Sequence, residues 1–229
     1  MSNHWAVIPV KGLAESKTRL SPHFGERRKI LIEALLTDVL RAVVKSKIYD
    51  TVLIVSNDNQ IGTLAGAAGV SFLRQSSFGL NRGLEQVNEI ALEEGAYSLT
   101  TILADIPLVE PKDFREIFAF SHATHRVVMA PSLKGGTNIM LTSPPGIIRP
   151  NYGRWSYSKH LRQAQIGQVD AFSISNPRVS FDVDTIDDLK ELKRRDPKGI
   201  TSSARAAREL SRAAAISRIQ RKTQLPTIG

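Results

Sequence analysis

Short apolar β-type runs alternate with helix-periodic segments along this chain, which confines it to a three-layer α/β architecture with a mainly parallel sheet. The runs are residues 5–10, 51–56, 70–74, 99–104, 127–130, 138–141 and 169–174. Between them, Leu31, Leu35 and Val39, with Leu36, Leu40 and Val43, recur at helical spacing, so residues 23–46 are predicted to form one amphipathic helix. Ser21-Pro22 marks its start, with Ser as cap and Pro at the first helical position. Further helices are predicted over 58–68, 82–94, 112–122, 156–166 and 186–195, and a Gly135-Gly136 turn separates the fifth and sixth strands.

Two of the extended segments end in carboxylates: Thr-Ile-Leu-Ala-Asp-Ile-Pro (101–107) and Val-Ser-Phe-Asp-Val-Asp-Thr (179–185). A buried strand that ends this way puts negative charge at the carboxyl edge of the sheet, where open α/β proteins bind ligands. Brought together, Asp105, Asp182 and Asp184 would hold Mg²⁺, which takes oxygen ligands and shares its shell with phosphates. Each also fits a local role, Asp105 as a turn residue before Pro107 and the other two as caps of the next helix.

Nine residues of the loop after the first strand carry Lys11, Lys17 and Arg19, between a strand end and a helix start. Three cations so placed can surround a triphosphate, reinforced by backbone N–H groups. The loop also reads as a solvated surface segment. Neither Gly-x₄-Gly-Lys-Ser/Thr nor Gly-x-Gly-x-x-Gly occurs, so it is neither a P-loop nor a dinucleotide fingerprint. With no cysteine, thiolate zinc sites and cysteine nucleophiles are excluded. The five histidines (His4, His23, His122, His125, His160) show no metal-site spacing and are assigned solvated or packing roles. Trp5 is assigned to core or edge packing.

With these blocks in view, the chain resembles the guanylyltransferases that activate 2-phospholactate, phosphoenolpyruvate or a related phospho-acid in coenzyme F-420 biosynthesis. The resemblance covers nearly all of residues 6–195. It rests on six blocks in order: residues 8–22, Gly-Leu-Asn-Arg-Gly-Leu (79–84), Leu-Ala-Asp-Ile-Pro-Leu (103–108), Gly-Gly-Thr-Asn (135–138), Tyr-Gly-Arg-Trp-Ser-Tyr-Ser-Lys-His (152–160) and Phe-Asp-Val-Asp-Thr-Ile-Asp-Asp-Leu (181–189). It implies a single-domain nucleotidyltransferase (Rossmann-like) fold over 1–198, a mixed, mostly parallel sheet flanked by helices. It also implies that Lys11, Lys17 and Arg19 lie on the GTP phosphates, with Asn81 near the nucleoside. Asp105, Asp182 and Asp184 would hold two Mg²⁺, and Thr137, Gly153 and Ser156 would grip the carboxylate end of the phospho-acid. Lys17, Arg19 and Asp105 are the implied catalytic residues. Gly153-Arg154-Trp155-Ser156 stands where the family usually has Gly-Pro-Gly-Ser, which leaves open which three-carbon acid is used, 3-phosphoglycerate included.

The chemistry is coherent without the family name. A phosphate acceptor is already ionised at neutral pH and needs no general base, so positioning and charge neutralisation suffice.

The formal charge of +9 is uneven: residues 199–229 carry Arg205, Arg208, Arg212, Arg218, Arg221 and Lys222 against Glu209, a net +5, leaving +4 on the body. This Ala/Arg-rich tail is expected to be a solvated helix or an extension that packs only weakly. The first residues lack a signal peptide's long apolar core, and no apolar stretch approaches the roughly 20 residues of a membrane helix, so a cytoplasmic protein is expected, with a homodimer left open. Two rivals remain: a nucleotidyltransferase for a sugar phosphate, cytidylyl-alcohol or molybdopterin, and a nucleic-acid binder acting through the tail. Nothing resembles a nucleic-acid-binding motif, so nucleic acid is not an expected partner.

Overall fold

The computed structural model of the protein describes residues 3–120 and 124–223, with side chains as far as residue 215. His122 and the side chains of Arg218, Arg221 and Lys222 lie outside the described residues. Seven strands form one sheet: β1 (His4–Pro9), β2 (Thr51–Ser56), β3 (Ser71–Arg74), β4 (Ser98–Ile102), β5 (Arg126–Pro131), β6 (Thr137–Ser143) and β7 (Asp170–Ser173). Their spatial order is β3-β2-β1-β4-β6-β5-β7. Four of the six strand pairs are parallel; β6 runs antiparallel to both neighbours, as the Gly135-Gly136 turn requires.

Alternation along β1 explains the layers. Ala6 and Ile8 face one cluster with α2 (Arg28–Ser46), α3 (Asn59–Ala67) and α5 (Pro111–Phe118). Val7 faces the opposite cluster with Leu84 and Val87 of α4 (Leu80–Glu93) and Ala164 of α6 (Ser156–Ile166). A sheet covered on both faces keeps even its polar strand residues dry: Ser98, Thr100 and Thr101 of β4 are buried.

The predicted helix 23–46 is broken. It divides into α1 (Ser21–Phe24), a single tight turn at Gly25–Arg27, and α2. Gly25 adopts φ 55° and ψ −135°, a conformation that no L side chain holds comfortably and that ends the first segment. Ser21 is inside α1 rather than its cap; Leu20 takes the cap position, without a side-chain hydrogen bond.

The expected weak packing of the tail is corrected over its first turns. In α8 (Ser202–Thr223), Ala204, Ala206, Ala207 and Leu210 are buried with Leu31 and Leu35 of α2 and with Leu189 and Leu192 of α7 (Ile186–Arg195). Asp38 of α2 fixes the junction by accepting from the backbone N–H of Ser202 (2.7 Å) and Ser203 (2.8 Å). Net positive charge marks the tail, but Ala and Leu at helical spacing supply a narrow apolar stripe that finds a partner.

The order β2-β1-β4 makes the gap between β1 and β4 the place where successive crossovers leave in opposite directions. Loops leaving the carboxyl ends of these strands diverge there and open a crevice.

Candidate functional site

The loop from Val10 to Leu20 is shaped from both sides. Val10 N–H donates to Val55 O (2.9 Å), continuing the β1–β2 ladder, and Leu13 N–H donates to the Asp58 carboxylate (2.9 Å). Below the loop, the buried guanidinium of Arg28 donates to Ala14 O (2.6 Å), Ser16 O (3.3 Å) and Gly25 O (3.0 Å). One planar fork thus ties the loop to the α1–α2 corner. Lys17 lies in the left-handed region (φ 52°), which turns its side chain inward, whereas Lys11 and Arg19 remain exposed.

Lys17 Nζ lies 2.7 Å from Asp105 Oδ2 and 2.7 Å from Asp184 Oδ1, so one ammonium joins residues 88 and 167 positions away. Burial alone would lower its pKa; the two carboxylates outweigh that and raise it. The second Asp105 oxygen, Oδ1, is buried and has no hydrogen-bond partner. Val183 N–H donates to Asp105 O (3.0 Å), which locks the two carboxylate-bearing segments side by side.

A second lysine balances the other end of the cluster. Lys134 Nζ reaches Asp188 Oδ2 (2.8 Å), Asp182 Oδ2 (3.0 Å) and Asp184 Oδ2 (3.5 Å). Burial opposes its charge, but these acids raise its pKa. Asp182 also accepts from Ser132 Oγ (2.8 Å). Burial, reinforced by the hydrogen bond shared with Asp184, pushes the Asp182 carboxyl up against the pull of Lys134 and Ser132. Burial acts on Asp184 too, yet Lys17 and Lys134 hold it well below the ordinary carboxylate range. Neither Asp182 nor Asp184 caps α7. Thr185 is the cap, in a reciprocal box with Asp188.

Across the crevice, Thr137 N–H donates to Ser156 Oγ (2.9 Å), and Thr137 Oγ1 meets His160 Nδ1 (3.0 Å). His160 Nε2 accepts from Asn151 N–H (2.9 Å), which fixes the ring as an acceptor on that side. Its burial, with Lys159 nearby, lowers its pKa to about 4. Gly153 (φ 126°) begins the turn into α6 and its carbonyl accepts from Ser156 N–H (3.1 Å). Trp155 lies over Gly135, where an added Cβ would come within 2.6 Å of the indole ring, and the Arg154 guanidinium sits 5.5 Å from the ring centre. Asn81 uses both ends of its amide on the Tyr152 backbone, at 2.7 and 3.2 Å.

The sequence-predicted residues thus gather into two groups. Lys17, Asp105, Asp182 and Asp184 interlock, and Thr137, Ser156 and Gly153 form a second cluster joined to the Gly-Gly turn. Lys11 and Arg19 stand at the loop surface, and Asn81 is a clasp between α4 and the 152–156 turn. Sequence reasoning missed Lys134, Asp188, Ser132, Arg28 and His160. Asp188 could have been found from the Thr185-x-x-Asp188 spacing that signals a capping box; the other four carry no local signature.

For a divalent cation the donor set is suitable: oxygen ligands only, with one buried carboxylate oxygen of Asp105 unpartnered. Among the described residues no three acidic or imidazole groups converge as a ready-made cage. Also among the described residues, no helix is long and apolar enough to cross a membrane.

Comparisons with known proteins follow the same lines. The family model described as "Guanylyl transferase CofC like" matches residues 4–202. A phosphoenolpyruvate guanylyltransferase of Sphaerobacter thermophilus is 32% identical over 199 residues, covering 86% of this chain and 96% of the relative. A 3-phospho-D-glycerate guanylyltransferase of Colwellia psychrerythraea is 31% identical, covering 81% of this chain and 89% of its own, and a 2-phospho-L-lactate guanylyltransferase of Methanocaldococcus infernus is 29% identical, covering 81% and 82%. Among solved structures, a protein described as a nucleotide-diphospho-sugar transferase from Desulfovibrio desulfuricans superposes with a TM-score of 0.76 at 18% identity, over 94% of this chain and 98% of that one. At that identity the likeness concerns the fold alone.

Proposed function

The chain belongs to the guanylyl transferase CofC-like family, and from that premise we propose that it transfers GMP from GTP to the phosphate of a three-carbon phospho-acid, releasing pyrophosphate. The observation that carries this reading is the single ammonium of Lys17 held between Asp105 and Asp184 at the β1/β4 crevice, beside the cationic loop. In this proposal Lys11, Lys17 and Arg19 receive the GTP phosphates, Lys17 exchanging part of its carboxylate contact for phosphate oxygen. Asn81 holds the wall against which the nucleoside rests. Thr137, Gly153 and Ser156 bind the carboxylate of the acid, and neutral His160 fixes the Thr137 hydroxyl from behind.

An oxygen of the acceptor phosphate attacks the α-phosphorus of GTP in line; the bond from that phosphorus to the bridging oxygen breaks, and pyrophosphate leaves. No proton has to be removed, which agrees with a site whose one buried histidine is committed to hydrogen bonds on both nitrogens. What the chain must supply is orientation and relief of repulsion between two anions. Asp105, Asp182 and Asp184 would hold Mg²⁺, which would supply charge neutralisation at the phosphates when bound.

Phosphoenolpyruvate, 2-phospholactate and 3-phosphoglycerate are the candidate acids. We take Trp155, which covers the Gly135 turn, and Arg154, stacked on its ring, as the residues that choose among them. The proposal places the reaction in coenzyme F-420 biosynthesis, in the cytoplasm, and takes residues 1–198 as the catalytic unit. Pyrophosphate release, measured for GTP, CTP and UTP against each acid and against sugar phosphates, tests it. Release with GTP and at least one phospho-acid is expected, lost on chelation of divalent ions. Release confined to CTP or UTP, or to a sugar phosphate, would overturn the assignment.

A further inference from the structure

A cavity of about 700 Å³ lies behind the site rather than in it, between α2, the segment after Asp105, the segment before Asp182 and the α7–α8 connection. That volume is in the middle of the range of small-molecule pockets. Its floor is apolar: Pro107, Leu108, Val109 and Pro177, with Ile200 at the rim unusually exposed at 73%.

Five cations line it (Arg41, Lys45, Arg178, Arg194, Arg195), against three acids. The acids are largely spent. Asp38 accepts the two N–H groups that begin α8, Asp196 accepts from Ile200 N–H, Thr201 N–H and the Thr201 hydroxyl, and Glu110 pairs with Lys112. Among the cations, Arg178 is committed to Asp113, and Arg194 and Arg195 to Glu191. Lys45 is exposed with no ion pair among the described residues, and Arg41 has only a 3.4 Å contact with Asp38 and a 3.1 Å bond to Ser202 Oγ. The cavity therefore offers a proline-rich apolar floor with one cation unpaired among the described residues, Lys45, and beside it Arg41, held only by a long contact to Asp38 and a bond to Ser202.

We propose that this cavity is a second small-molecule site, for an organic anion with an apolar body and a carboxylate, sulfonate or phosphate group. Proline rings and branched aliphatic side chains cover the body, while Arg41 and Lys45 meet the charge. Two of its walls continue directly into Asp105 and Asp182, and the Val183 N–H to Asp105 O bond joins those walls. An occupant would thus rest on the backs of both carboxylate segments.

Anilinonaphthalene sulfonate, a flat aromatic anion, is the probe. Its fluorescence is titrated against the full chain, against Lys45→Glu and Arg41→Glu/Lys45→Glu, and against Lys17→Met as a control in the crevice. Hydrogen exchange is followed with and without the probe. Saturable binding is expected, weakened about tenfold or more in the double variant and in the same direction by Lys45→Glu, whose exposed side chain leaves the fold intact. Lys17→Met should bind as wild type, and exchange should slow over residues 106–111 and 177–180. Unsaturable binding, charge variants that bind like wild type, equal loss in Lys17→Met, or protection confined to the 10–20 loop would overturn the proposal.

Discussion

A single ammonium between two carboxylates from distant segments is the strongest feature at the scale of the residue. Lys17 is mostly buried and neutralises Asp105 and Asp184; in the proposed reaction that removes charge which would repel an incoming triphosphate. Lys17→Met should lower kcat/KM for pyrophosphate release by on the order of 10²–10³, the loss typical of removing one electrostatic contact to the reacting group. His160 makes a different prediction. Its folded pKa is depressed to about 4, against about 6.5 for an ordinary imidazole, so the neutral ring stabilises the fold at neutral pH. That contribution is present above pH 6.5 and is lost as pH falls from 6.5 towards 4, at most roughly 3 kcal/mol. Urea unfolding of wild type and His160→Gln across pH 7 to 4.5 should show the steeper fall in wild type. Parallel curves would mean that the ring does not titrate in this window.

Among elements, the order and spacing of strands and helices were legible because apolar runs alternate with helical periodicity. Thr51–Ser56, α6 and α7 fall where the pattern places them. The break at Gly25 was not legible, since the apolar stripe runs on through it and only the backbone angle reveals the corner. Nor was Arg28, an arginine among several whose burial depends on three carbonyls from a loop folded beneath it. Arg28→Lys keeps the charge but not the fork, so it should raise KM for GTP about tenfold or more while leaving kcat closer to wild type, read from initial rates. The α2–α8 junction is a separate case. Asp38→Ala leaves two N–H groups of α8 without their acceptor and should destabilise the chain by about 1–2 kcal/mol in denaturant unfolding, with turnover per folded molecule unchanged.

On the scale of the whole molecule, chain topology brings the site together. Asp105 and Lys17 meet because β1 and β4 are neighbours although β2 and β3 lie between them in sequence, and the β1/β4 gap is where their loops part. Asp105 just beyond β4 and a lysine-bearing loop could be read in advance, whereas Asp182 and Asp184, expected to end a buried strand, lie in an irregular stretch between β7 and α7. How these groups pair could not be read, because it depends on strand order. Lys134 was invisible for the same reason: it sits on the β5–β6 turn and reaches Asp188 only when that turn stands over the α7 start. A crystal of the protein grown with GTP and Mg²⁺ would decide whether Lys17 and the strand-loop carboxylates serve a nucleotide. Triphosphate density is expected within hydrogen-bond reach of Lys11, Lys17 and Arg19, with a metal on Asp105 and Asp184. Nucleotide bound elsewhere, with Lys17 still held between its two carboxylates and no metal on either, would contradict that role.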